Sequence, residues 1–352
     1  MAAAYLVFSL AYYSQMYLLY NYFDSRAVYV ISLGWAYLAQ AAGMALFVFL
    51  YWKQPTLFSR RYWLVGVFVL GAAFMSATVL VKSAAVLVTG MMLTNLLCGI
   101  ETGFAFSLTT AYVKKDSLGL SFGTAYAIGS IGTWLISLLE PELMVSVHIV
   151  PIASVLFGIA IAIVFLIKDL PSALEDGEAA EPDKKQGAFY LIAVLILMML
   201  VSTLGSNSYS LITKDAGLSA VAARGFYAIG LLASGFIYDR SRKLGAICTL
   251  ASLVFPVIAT VLYGQSELLG AVCALSYIFL GFIAMYRATS FMDLGADNKR
   301  MLPIVCGGLL LSRLVEAGVS FFNVALSERP LSGLILSGIL FIPLIVVFCV
   351  MQ

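Results

Sequence analysis

Apolar runs of about 20 residues, separated by short polar turns, recur along almost the whole chain, and that is the length of helix needed to cross roughly 30 Å of hydrocarbon. Twelve are read, near 4–21, 27–51, 62–80, 84–112, 121–139, 145–167, 188–211, 220–238, 246–263, 267–288, 302–325 and 331–351. They are continuous, without the period-two alternation of barrel strands, so they predict helices. The chain is 62% apolar and 11% charged, against about a quarter charged in soluble domains. That leaves too little polar surface to clothe a globule in water. The expected fold is an all-α integral membrane protein with twelve transmembrane helices, its partner the lipid bilayer.

Lys and Arg are retained in cytoplasmic loops, which sets the orientation. With the N-terminus inside, the inner loops carry Lys53, Arg60, Arg61, Lys114, Lys115 and Lys168, then Lys184 and Lys185, then Arg240, Arg242, Lys243, Arg287, Lys299 and Arg300. Outer loops and their edges hold only Arg26, Lys82, Lys214, Arg224 and Arg329. Both termini are therefore expected in the cytoplasm. The net charge of +2 follows from this asymmetry and implies no nucleic-acid partner. Residues 168–187, KDLPSALEDGEAAEPDKKQG, are too polar to cross and too short to be a domain. They divide the chain into a six-helix bundle at 1–167, a cytoplasmic linker, and a second six-helix bundle at 188–352.

Between runs 8 and 9 stands Gly235-Phe-Ile-Tyr-Asp239-Arg240-Ser-Arg242-Lys243. Gly235 permits close approach of a neighbouring helix. Asp239, at the last turn of its own helix, faces the negative end of the helix dipole and needs a cationic partner. Arg287, at the expected inner end of run 10, is the candidate. This stretch resembles the loop motif of the major facilitator superfamily of secondary transporters. The resemblance implies two six-helix halves related by a pseudo-twofold axis along the membrane normal. It also implies a latch closing the cytoplasmic side, formed by Gly235, Asp239, Arg240, Arg242, Lys243 and Arg287. The matching first-half loop, YWKQPTLFSRRYW, has basic residues but no aspartate in place. Run 5 has Gly119, Gly123, Gly129 and Gly132 but lacks the proline of an antiporter signature, so the coupling mode is not implied.

A charge inside a span costs roughly 2.5–3.5 kcal/mol on insertion scales and points to function. Glu101 in run 4 and Arg313 with Glu316 in run 11 are such charges. Arg313 and Glu316, three apart, share a helix face. A Glu101 carboxyl held away from water and cations would exchange its charge for a proton and so could carry one, or it could hold a cationic group. Gln15, Asn95 and Asn207 are candidate ligand contacts, with helix-to-helix hydrogen bonding as the plainer role for such residues. Glu101, Arg313, Glu316, Gln15, Asn95 and Asn207 form the expected substrate or proton site.

No phosphate-cradling Gly-x-x-x-x-Gly-Lys loop is present, which disfavours an ATP-driven pump, and no constellation suggests an enzyme. His148 alone cannot make a metal site. Cys98, Cys248, Cys273, Cys306 and Cys349 have no paired spacing and read as free thiols. No cofactor is expected. The absence of a basic leader predicts no cleaved signal peptide. The absence of organelle signals and the compact loops suit a bacterial cytoplasmic membrane, and a monomer is expected. The expected function is transport of a small solute by alternating access, coupled to protons. The rival is a ligand-sensing membrane domain of the kind fused to LuxR-type DNA-binding domains.

Overall fold

The computed structural model describes residues 1–351 apart from 24–25, 82, 140, 172–183, 213–219, 256–257, 259–260, 263–265 and 327–328. The described chain is helical with no strand. Its longer helices are α1 (Ala2–Phe23), α2 (Arg26–Lys53), α3 (Trp63–Leu80), α4 (Ala84–Tyr112), α5 (Leu118–Ser137), α6 (Ile149–Val164), α7 (Lys184–Ile212), α8 (Ala220–Arg240), α9 (Arg242–Ser252), α10 (Ser266–Asp297), α11 (Gly307–Leu326) and α12 (Pro330–Met351). By length and composition, six segments among the described residues can cross a bilayer: Val30–Lys53, Trp63–Leu80, Ala84–Tyr112, Leu275–Asp297, Lys299–Phe322 and Leu331–Met351. Ile149–Val164 and Phe189–Gly205 are shorter apolar helices.

Two of the boundaries that differ from the sequence expectation bear on the site. The tenth helix does not stop near 288 but runs on to Asp297, so Arg287 lies inside it. The ninth begins at Arg242, where the Ser241 hydroxyl accepts from the Leu244 amide as an N-cap. Most of the linker lies outside the described residues. Its start is held in place: Ser59 accepts from the Leu170 amide, and Tyr51 and Tyr112 donate to the carbonyls of Pro171 and Asp169.

Two large apolar clusters, with a smaller one around Met16, Leu19 and Met91, form the interior. One is built mainly from the first half, including Phe8, Phe47, Phe68, Phe104 and Phe157 of α1, α2, α3, α4 and α6, with Leu302 from the second. The other joins Met198, Leu231, Met285, Met292, Leu309 and Phe348 of the second half with Phe106 and Phe122 of α4 and α5. Large apolar side chains such as Leu135, Ile159, Phe322, Ile342 and Val346 stay exposed. Such a surface would drive aggregation in water and is what a lipid-facing surface requires.

The halves meet along two helix pairs. A Cβ on Gly119 of α5 would lie 2.7 Å from the Gly235 carbonyl oxygen of α8, and one on Gly235 would lie 2.6 Å from the Gly119 carbonyl oxygen. Only glycine at both positions allows this backbone approach. On the other seam, Gly34 of α2 faces the Phe321 ring and the Ala317 carbonyl of α11, and Trp35 meets Phe321 edge-on at 5.5 Å.

Candidate functional site: a charged cavity between the halves

A cavity of about 230 Å³ lies where α1, α2, α4 and α5 of the first half face α10 and α11 of the second. Its charged lining residues among those described are Glu101, Arg287 and Arg313. Tyr5, Tyr12, Tyr13, Tyr37 and Tyr126 supply much of the rest. The wall is thus aromatic and apolar with a few convergent charges, the usual make-up of a small-molecule site.

Glu316, behind the wall, organises the two arginines. Its Oε1 accepts from Arg287 Nη1 at 3.2 Å and its Oε2 from Arg313 Nη1 at 2.5 Å. Ser312 joins them, accepting from Arg287 Nη1 at 2.5 Å and donating to Glu316 Oε1 at 3.3 Å. These residues meet because Ser312, Arg313 and Glu316 recur at helical spacing on α11, while Gly308 removes the side chain that would strike the Arg287 carbonyl of α10. The Arg313 guanidinium lies 4.9 Å from the centre of the Tyr37 ring, within cation–π range. The Tyr126 hydroxyl reaches Arg287 and Tyr227. Arg313 Nε is buried with no acceptor among the described residues.

Glu101 is 8% exposed and stands apart from this cluster. Its carboxyl makes no side-chain ion pair among the described residues; the Met1 ammonium, on the same cavity wall, is the cation whose field it feels. Asn95 also lines the cavity, but its amide donates to the Met91 carbonyl one turn back at 2.9 Å. Gln15 is fully buried and ties α1 to α4 by donating to Thr94 Oγ1 at 3.1 Å; it does not line the cavity. The side chain of Asn207 lies outside the described residues. Among the described residues no cluster of His, Cys, Asp or Glu could hold a metal. Cys98, Cys248, Cys306 and Cys349 are free thiols, and Cys273 lies outside the described side chains.

At one end of the bundle the motif residues join the halves. Arg287 is not the partner of Asp239, as the sequence suggested, because it sits inside α10 on the cavity. Asp239 instead accepts from the backbone amides of Gly119 and Leu120 at 2.7 Å each. These are among the first, unpaired amides of α5, and the Ser117 side chain leaves them uncapped. The carboxylate of one half therefore serves as anion at the positive end of a helix in the other. Arg242 completes the joint, donating to Asp239 Oδ1 at 3.2 Å, Asp293 Oδ2 at 2.9 Å and the Lys115 carbonyl at 2.7 Å. Lys115 in turn pairs with Asp297 at 2.6 Å. Arg240 lies over its own Phe236 ring and is exposed, as is Lys243.

Five partners were not singled out as such from sequence. The Gly119 and Leu120 amides carry no side-chain signal, Asp293 lay in an expected loop, and Tyr37 and Tyr126 look like ordinary apolar-span tyrosines. The degenerate first-half loop has also found an acid, since the Arg61 amide donates to Asp169 Oδ1 at 2.9 Å. Asp169 comes from beyond α6, so no motif in the 51–63 stretch could reveal it.

No family model matches the sequence, and no curated protein does. Among solved structures, the human organic anion transporter MFSD10 (TETRAN) matches 100% of this chain and 97% of its own, with a TM-score of 0.73 at 15% identity. The E. coli fucose:proton symporter FucP, a major facilitator superfamily transporter, matches with a TM-score of 0.64 at 14% identity over 100% of this chain and 97% of its own. This chain has the major facilitator fold. The nucleoside transporter NupG is similar too, with a TM-score of 0.62 at 14% identity, covering 99% of this chain and 98% of its own. Near-full coverage at such low identity means that the fold is shared with few shared side chains.

Proposed function

We propose that this protein is a secondary active transporter that carries a small solute across a bacterial cytoplasmic membrane by alternating access, as a monomer coupled to protons. In this reading twelve helices span the membrane as two six-helix bundles, 1–167 and 188–352, with both termini and the linker in the cytoplasm. The carrying observation is the placement of Glu101, Arg287 and Arg313, three costly buried charges, on one cavity between the halves. Substrate and proton roles fall to Glu101, Arg313 and Glu316, with Asn95 beside them and Gln15 and Asn207 in support. The printed names of the neighbours, an organic anion transporter, a fucose:proton symporter and a nucleoside transporter, support transport as the class of activity.

The test is proton movement in proteoliposomes holding an internal pH dye, challenged with amino acids, sugars, organic acids and cationic dyes. A pH change that depends on both a solute and the protein is expected. Stabilisation by a solute with no flux for any pool would instead identify a ligand sensor.

The joint at Asp239 serves as the conformational latch, with Gly235, Arg240, Arg242 and Lys243 around it. Two charge-assisted hydrogen bonds cross between the halves through that one carboxylate, each worth about 1.5–3 kcal/mol. Asp239→Asn keeps the size but loses the charge that satisfies two amides at once. Exchange between inward- and outward-open states is expected to change at least tenfold while the melting profile stays cooperative. Cysteine accessibility from both sides reads this out, and unchanged accessibility would remove the latch role.

A further inference from the structure

We infer that the cavity takes a small organic monocarboxylate, its charge held by Arg313 and Arg287 and its apolar body by the tyrosine wall. The inference rests on the reading that this cavity is the substrate site, and it names the substrate class. The first argument is charge. Glu316 is one carboxylate serving two guanidiniums, and Glu101 pairs with neither. With Glu101 carrying a proton, the arginine cluster therefore keeps one positive charge unmatched among the described side chains. An uncompensated charge away from water is expensive, and an anion placed against it recovers part of that cost.

The second argument is shape. A guanidinium presents a planar fork of donors that matches a carboxylate in two-point contact. Arg313 engages Glu316 through Nη1 alone, and its Nε is closed off from the cavity, so the face it offers a second acid is the terminal end of the fork. Glu316 lies behind the wall, so it holds the guanidinium from the rear and leaves the cavity side for a second acid. A surplus of one charge suits a monoanion better than a phosphate dianion.

The third argument concerns the alternatives. Side-chain amides are one common means of satisfying the hydroxyls of a sugar or nucleoside, each costly if buried unpaired. Here Asn95 donates to a backbone carbonyl, Gln40 donates to Cys98 Sγ at 3.2 Å, and Gln15 is turned to Thr94. An ammonium group would find one carboxyl, Glu101, against two guanidiniums on the same cavity, and a protonated Glu101 would leave it only the repulsion. A carboxylate on an aromatic or aliphatic body matches what remains: cations at one end, with Tyr5, Tyr37 and Tyr126 around it.

Binding to the purified full chain decides the matter, using benzoate, phenylacetate, hexanoate and lactate against benzamide, benzylamine and inorganic phosphate. At least one monocarboxylate is expected to bind, with the amide, the amine and phosphate failing to compete. Arg313→Gln is expected to weaken that binding roughly 10- to 100-fold, the equivalent of losing a charged hydrogen bond. Arg313→Lys should restore part of it. If Arg313→Gln melts early, the Arg313→Gln/Glu316→Gln pair removes both charges together and should show the same loss in a better-folded protein. Binding of benzylamine or phosphate in preference, absence of binding by all four acids, or acid binding indifferent to both arginine variants would overturn the inference. An acid that binds through Arg313 but is never carried in proteoliposomes would overturn transport and leave the inference standing. Carriage of a neutral or cationic solute untouched by Arg313→Gln would do the reverse.

Discussion

Replacing Glu316 with alanine is expected to cost about 3–5 kcal/mol of stability, the range for stripping the partner from a buried ion pair. The large figure follows from the geometry. A single carboxylate neutralises Arg287 on α10 and Arg313 on α11, at 3.2 and 2.5 Å, and all three side chains are largely buried. Alanine would leave two guanidiniums facing each other with no anion among the described residues between them. Glu316→Gln, which keeps one acceptor and the side-chain volume, should cost less. Unfolding of the detergent-solubilised protein against a denaturing surfactant measures all of these. In a double-mutant cycle with Arg313→Gln, the second substitution should be partly offset by the first, with a coupling of about 0.5–3 kcal/mol. If Glu316→Ala unfolds like the wild type, the guanidiniums are solvated by water in the cavity and the triad contributes little to holding α10 against α11.

The same triad shows where sequence reading reaches and where it stops. Glu101, Arg313 and Glu316 were legible because hydrocarbon makes any charge in a long apolar run conspicuous. Arg287 was assigned to a loop by the same logic, since a charge lowers local hydropathy and appears to end the run. The helix continues ten residues beyond it, to Asp297, and the arginine is paid for by Glu316 and Ser312. Hydropathy cannot distinguish a charge that ends a span from one matched inside the protein, because matching comes from another helix. The Asp239 joint was half legible for a related reason. The motif and the dipole argument demanded an opposite charge, and the structure supplies it as backbone amides at the start of α5, which no side-chain reading can see. Gly119 and Gly235 were visible as residues, but only their mutual approach, each carbonyl against the other's Cα, explains why both are glycine.

Glu101→Gln is expected to abolish the proton dependence of solute flux while leaving solute-driven exchange in place. Glu101 has no side-chain ion pair among the described residues, and the Met1 ammonium is the cation that acts on it. Glu101 is on α4 in the first half, Arg287 and Arg313 are on α10 and α11 in the second, and all three line one cavity. A carboxyl with no ion pair among the described residues is free to exchange a proton with whatever side the cavity opens to. Its charge also faces the arginines across the space where a solute would sit. Proton gain there changes the cavity's net charge by one unit, which at an effective dielectric near 20 is a sizeable interaction over a few ångströms. Loading of an acid and loading of a proton would then favour each other, and such coupling is reciprocal between the two sites. Glutamine keeps the shape and removes the titration. Uptake driven by an imposed pH gradient should fall to the level of empty liposomes, while exchange of labelled for unlabelled solute at equal pH continues. If gradient-driven uptake persists in Glu101→Gln, the proton is carried elsewhere and Glu101 only shapes the cavity; if both activities vanish in a folded protein, the carboxyl contacts the solute itself.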